Sequence, residues 1–171
     1  MDNVKDVAAY LVGTYTLETG NPLAVNGQRL ANLLYLAQRE QLAVKNRPLY
    51  EEKIFACSEG ARLKALPQLD KEQGIEESIR EMKKVIRSYE NGEFNGVSLD
   101  TQYCLRNVVK SYKDLTDGEL KKTVKEQLSW KNARSSVDKE YDLEDIRLDS
   151  RKIRPYDHFY DTYYDEEEEE F

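Results

Sequence analysis

Residues able to do nucleophilic or metal chemistry are few in this sequence and badly placed for it. The one histidine, His158, lies in the C-terminal segment, so a Ser/His/Asp or Cys/His site would have to be assembled there. Cys57 and Cys104 are far apart, with no CxxC spacing and no histidine neighbour, which argues against a zinc or redox site. Both read as buried, reduced thiols. No P-loop, GxGxxG or HExxH pattern is present. Glu76, Glu77, Asp142, Glu144, Asp145 and Asp149 have the chemistry for acid/base or magnesium work, but their spacing is that of a solvated helix face. The expectation is a non-enzyme with no catalytic residue, cofactor or metal.

The other concentrated chemistry is charge mixed with aromatic rings. Residues 155–171 hold Asp157, Asp161, Asp165 and Glu166–Glu170, eight of the chain's 33 acids, and no lysine or arginine. The remaining 25 acids face 26 bases in residues 1–154, so the body is close to neutral and the acidic excess belongs to the tail. Six rings are interleaved with those acids: Tyr156, Phe159, Tyr160, Tyr163, Tyr164 and Phe171. A segment of this kind suits a basic groove with apolar pockets, the surface that single-stranded nucleic acid itself engages. Tyr156, Phe159, Tyr160, Tyr163, Tyr164, Glu166, Glu167 and Glu168 are therefore the candidate partner-binding residues. Two other readings stand beside this one, a disordered solubility tail and a tail that docks back on the body. Direct nucleic-acid binding is not expected, because Lys121, Lys122, Arg147, Arg151, Lys152 and Arg154 are interspersed with acids and the tail repels phosphate.

The elements that must position these groups are helical. Val4, Val7, Ala8, Leu11, Val12 and Tyr15 recur at three- and four-residue steps, predicting a helix that starts after Asp2 or Asn3 and ends at Gly20-Asn21-Pro22. A second is predicted from about Gly27 to Lys45, with Asn26 as N-cap, Leu30, Leu33, Leu34, Ala37 and Gln41 on one side, and Asn46-Arg47-Pro48 closing it. Ile54-Phe55-Ala56-Cys57 fits either a buried helical turn or a strand. Ile75, Ile79, Met82, Val85, Ile86 and Tyr89 predict a core helix that stops at Asn91-Gly92. Another starts near Ser98 and carries Tyr103, Cys104, Val108, Val109 and Tyr112. Thr116-Asp117-Gly118-Glu119 is a capping box for a helix bearing Leu120, Val124 and Leu128. A short amphipathic turn is expected at Leu143, Ile146 and Leu148.

The fold expected is thus all-α, a five- to six-helix domain over residues 1–150 followed by a disordered acidic, aromatic tail over 151–171. With 171 residues there is room for one real core, and 39% hydrophobic against 35% charged residues fits helices with heavily charged outer faces. No apolar run approaches the roughly 20 residues that cross a bilayer, and Met1-Asp2-Asn3-Val4-Lys5-Asp6 lacks a signal-peptide layout. A cytoplasmic protein with no membrane contact is expected; the oligomeric state is left open.

Several stretches, in order, resemble the Panacea domain, the SocA-like antitoxin family associated with phages. They are Val7-Ala8-Ala9-Tyr10; Gln28 to Gln38, with Leu33-Leu34-Tyr35 at its centre; Arg47-Pro48-Leu49-Tyr50 and Ile54 to Cys57; then Leu105 to Tyr112, Leu115 to Leu120, and Ser129-Trp130-Lys131-Asn132-Ala133-Arg134. The resemblance spans about residues 4–137. Where the family carries a Gly-Pro-Val-like turn, this chain has Glu59-Gly60-Ala61-Arg62 and matches only the glycine, which makes the turn a candidate diverged partner surface. The resemblance implies a helical bacterial or phage antitoxin that neutralises a cognate toxin by direct binding. Alternatives are a phage inhibitor of a host nucleic-acid enzyme, with the tail as acidic mimic, and an adaptor that delivers its partner to a protease. Leu30, Leu33, Leu34 and Trp130 are expected in the core.

Overall fold

The computed structural model describes residues 1–21, 23, 27–64, 80, 84, 87 and 96–150. Among them are six helices and one hairpin: α1 (Val4–Thr19), α2 (Gly27–Lys45), β1 (Ile54–Cys57), β2 (Gly60–Leu63), α3 (Leu99–Tyr112), α4 (Asp117–Lys125), α5 (Leu128–Ser135) and α6 (Leu143–Ser150). The chain is mostly helical but not all-α. Ile54–Cys57 is a strand, paired antiparallel with Gly60–Leu63 in the register Ile54 to Leu63. Its other edge is bridged by Glu140, with the Ala56 amide donating to Lys139 O at 2.7 Å and the Tyr141 amide to Ile54 O at 2.8 Å. Four residues are too few for periodicity to choose between turn and strand, and the partners that decide it lie elsewhere in the chain.

Local signals set most helix ends. Asn3 accepts the Lys5 amide as N-cap of α1, and Gly20 closes that helix in the left-handed region at φ 74°. Ser98 caps α3, and Thr116 and Glu119 form a reciprocal capping box on α4. Asn46, at φ 55°, takes the chain out of α2. The helix expected around Ile75 to Tyr89, its stop at Asn91-Gly92, the cap Asn26 and the whole tail lie outside the described residues. Arg80, Lys84 and Arg87 are helical and exposed.

α2 is the central element. Every residue from Arg29 to Leu42 is buried, because α3, α4, α6 and β2 all pack around it. Leu30, Leu33 and Leu34 lie in the core as expected. α1 is buried all round from Val7 to Val12 and packs mainly on α3. Trp130 is half-buried at the core's edge rather than inside it, and Cys57 is likewise half-buried while Cys104 is buried, both thiols free. Four apolar expectations need correcting. Tyr103 is 67% exposed, Leu143 and Leu148 are exposed on α6 while Ile146 between them is buried, and Leu128 opens α5 on a half-exposed face rather than continuing α4, which ends at Lys125.

Candidate partner-binding site

Polar residues inside a helix that is buried all round must find partners, and many of those of α2 find them in α1, α3, α4, α5 and the hairpin. Asn32 Oδ1 accepts the Ala61 amide at 2.8 Å and its Nδ2 donates to Glu59 O at 3.2 Å, while Gln28 Nε2 donates to Ala61 O at 2.8 Å. From the other side, Trp130 Nε1 donates to Gly60 O at 3.0 Å and Cys57 O at 3.2 Å. The hairpin turn is thus clamped between α2 and α5. Gly60 is required there, since its φ is 126° and a Cβ would stand 2.3 Å from Asn32 Oδ1.

Arg29 does the same for the helices. Its buried guanidinium donates to Tyr15 Oη at 3.0 Å, Asp117 Oδ1 at 2.9 Å and the carbonyl of Leu115 at 2.7 Å, tying α1 and the end of α3 to the start of α4. Deeper in, Arg39 Nη2 donates to Tyr112 Oη at 2.9 Å, and Tyr112 Oη donates to Glu40 at 3.4 Å. Gln38 accepts the Leu49 amide and donates to Tyr50 O. Tyr35 Oη and Ser129 Oγ are 2.9 Å apart, and the Ser129 and Leu128 amides donate to Asp149 at 2.8 and 3.3 Å. Asp149 is 1% exposed, not part of a solvated face as its neighbours predicted. It caps α5 from α6, supplying what Gln127 at the N-cap position does not.

Burial governs the reactivity of these groups. It pushes the Tyr35 and Tyr112 phenols up to about 12 and raises Tyr50, Tyr141 and the Cys104 thiol well above their ordinary ranges. All of them stay protonated at neutral pH. Among the described residues no group of three His, Cys, Asp or Glu side chains could hold a metal ion, and no helix is long and apolar enough to cross a membrane.

What the surface offers is clefts and faces. One cleft of about 330 Å³ lies between the start of β1 and α6, walled by Tyr50, Ile54, Tyr141, Leu143 and Ile146, with Glu51 and Glu52 at its edge. Beside it, sharing Glu140 and Tyr141, is a second of about 450 Å³ lined by Asp138, Asp142 and Asp145. The two form an apolar and acidic surface. A smaller cleft of about 170 Å³ sits over Arg29, Asn32 and Asp117, beside the Glu59–Lys121 ion pair. Tyr156, Phe159, Tyr160, Tyr163, Tyr164, Glu166, Glu167 and Glu168 lie outside the described residues, so the geometry joins none of them to these clefts. Composition did not point to the clefts, because their acids lie on a loop and a short helix brought to β1 by tertiary contacts.

The polar interior of this molecule is committed to holding its own elements together, which leaves outer faces and clefts for other molecules. That is the layout of a small, mostly helical domain. The model of the family described as Antitoxin SocA-like, Panacea domain, matches residues 30–131. This is more than half of the chain, and the protein belongs to that family. No curated protein and no solved structure matches it. The matched span holds most of the clamp: Asn32, Tyr35, Arg39, Gly60, Tyr112, Asp117 and Trp130.

Proposed function

We propose that this protein is an antitoxin that neutralises a cognate toxin by binding it directly, without turnover. The observation that carries the reading is the family match over residues 30–131. Consistent with it, the buried phenols and thiol are held neutral, the described surface offers an apolar cleft with acidic surroundings, and the sequence ends in acidic, aromatic residues of the kind that contact proteins. The contact on the tail is assigned to Tyr156, Phe159, Tyr160, Tyr163, Tyr164, Glu166, Glu167 and Glu168, rings for anchoring and carboxylates for steering. Two free thiols are compatible with a reducing compartment, and the cytoplasm is the compartment proposed for the action.

The tail's composition favours a second reading, in which the target is a host nucleic-acid enzyme and the segment stands in for its substrate. Both readings are tested by co-expression. The full chain should restore growth arrested by the toxin encoded beside its gene, and deletion of residues 155–171 should lose the rescue while lowering the melting temperature by no more than a few degrees. Failure of the full chain to rescue would remove the antitoxin reading. Equal rescue by the two chains would remove the eight tail residues from the site.

A further inference from the structure

α3 presents an outer face that is largely exposed and that its own fold engages at Arg106, whose Nε donates to Tyr10 Oη at 2.8 Å. Taken at 100° per residue, Leu99, Tyr103, Arg106, Lys110 and Lys113 fall within an arc of about 80°. Leu99 is 79% and Tyr103 67% exposed, and Arg106 and Lys110 are exposed as well. The helix's one acid, Asp100, lies off this arc and is ion-paired with Arg47 at 2.8 Å and Lys45 at 3.8 Å. The face therefore runs from two apolar side chains at the start of the helix to cations at its end.

We propose that this face of α3 is the docking surface for the chain's own C-terminal segment, residues 155–171. The chemistry is complementary, and so is the order. The segment carries five of its six rings between Tyr156 and Tyr164, with Asp157 and Asp161 among them, and six of its eight acids from Asp165 to Glu170, before Phe171. The helix offers Leu99 and Tyr103 first and Arg106, Lys110 and Lys113 after them. The tether also starts close by. Arg147, in the last turn of α6, donates to Asn46 Oδ1 at 2.8 Å, and Arg47, the next residue along, is the partner of Asp100 in the first turn of α3. The 21 residues beyond Ser150 reach up to roughly 70 Å when extended, against about 21 Å for the length of α3. Docked in this sense, most of the rings meet Leu99 and Tyr103, most of the carboxylates meet cations, and a near-neutral body holds its acidic end.

The test is amide hydrogen exchange on the full chain without any partner, in low and in high salt. Amides of residues 155–171 should exchange at least tenfold more slowly than in the free synthetic peptide of that sequence, independently of protein concentration, with the protection reduced by salt. Tyr103→Ala and Lys110→Glu, both at exposed positions, should each remove most of the protection and lower the melting temperature by no more than the few degrees lost on deleting residues 155–171, whereas Leu17→Ala, exposed on α1, should leave the protection intact. Exchange at free-peptide rates in the unaltered chain would overturn the proposal. So would protection that the α3 substitutions do not touch, or protection that appears only at high concentration and so reports a second copy.

Discussion

Gly60 is where two constraints meet on one residue. Its φ of 126° disfavours any side chain, and the space a Cβ needs is occupied by Asn32 Oδ1. Gly60→Ala should therefore destabilise the protein by about 1–3 kcal/mol, the ordinary range for overpacking, with backbone strain added to it. Removing the obstacle should recover part of that loss. In Asn32→Ala/Gly60→Ala the two costs should be less than additive, which denaturant unfolding of the four proteins in the cycle would measure. Strict additivity would mean that the amide and the glycine do not oppose each other.

The buried tyrosines give the residue scale a pH signature. In the folded chain Tyr35 is pushed up from 10.0 to about 12, chiefly by burial. Below pH 10 it is protonated in both the folded and unfolded states and adds no pH dependence. As pH rises from about 10 to 12 only the unfolded chain gives up the proton, so stability falls. Tyr112 acts in the same direction over the same window. Stability against denaturant should begin to fall near pH 9, where the unfolded chain's Cys104 thiol ionises while the buried one does not, and decline more steeply above 10. Tyr35→Phe should be less stable at neutral pH by about 1 kcal/mol, through loss of the Ser129 contact, but shallower in its alkaline decline. Phenolate absorbance of the folded protein that rises fully at pH 10 would show the rings to be solvated.

Among the elements, those that carry their own boundary signals were legible in the chain. Asn3, Gly20, Ser98 and the Thr116–Glu119 box act within one turn of the helices they limit, and each is found where the residue types placed it. The hairpin and α5 were not legible, because their determinants are remote. β1 is decided by β2 and by Lys139–Tyr141, and α5 is capped by an aspartate on another helix. The stripe that put Tyr103 and Leu128 inside had the right period, but period alone does not say which neighbouring residues a helix turns outward. The motif residues Gln28, Asn32, Gly60 and Trp130 could be found by resemblance, yet their clamp on one turn exists only in three dimensions. Asp149 gives the corresponding prediction. Asp149→Ala leaves the buried Ser129 amide without its acceptor and should cost about 1–3 kcal/mol. Hydrogen exchange should show the loss concentrated in α5 and α6, and an evenly spread change would argue against a cap that acts between these two helices.

As a whole molecule, the protein is a central helix wrapped by the others, with its polar interior satisfied largely by its own backbone and side chains. Such an interior gives a rigid body whose outer faces can diverge without loss of the fold, which suits a binding role. The near-neutral composition of residues 1–154 and the eight acids of residues 155–171 divide the sequence into two electrostatic regions. Charge of that kind governs association rates and salt dependence more than affinity.

The central claim is neutralisation by binding, and titrating a fixed amount of active toxin with the purified full chain tests it most directly. Residual toxin activity should fall linearly to zero at a fixed molar ratio, with the toxin recovered chemically unaltered and active after the complex is dissociated. Complete inactivation at strongly substoichiometric amounts, with the toxin or its product covalently changed, would contradict the account and make the protein a catalyst.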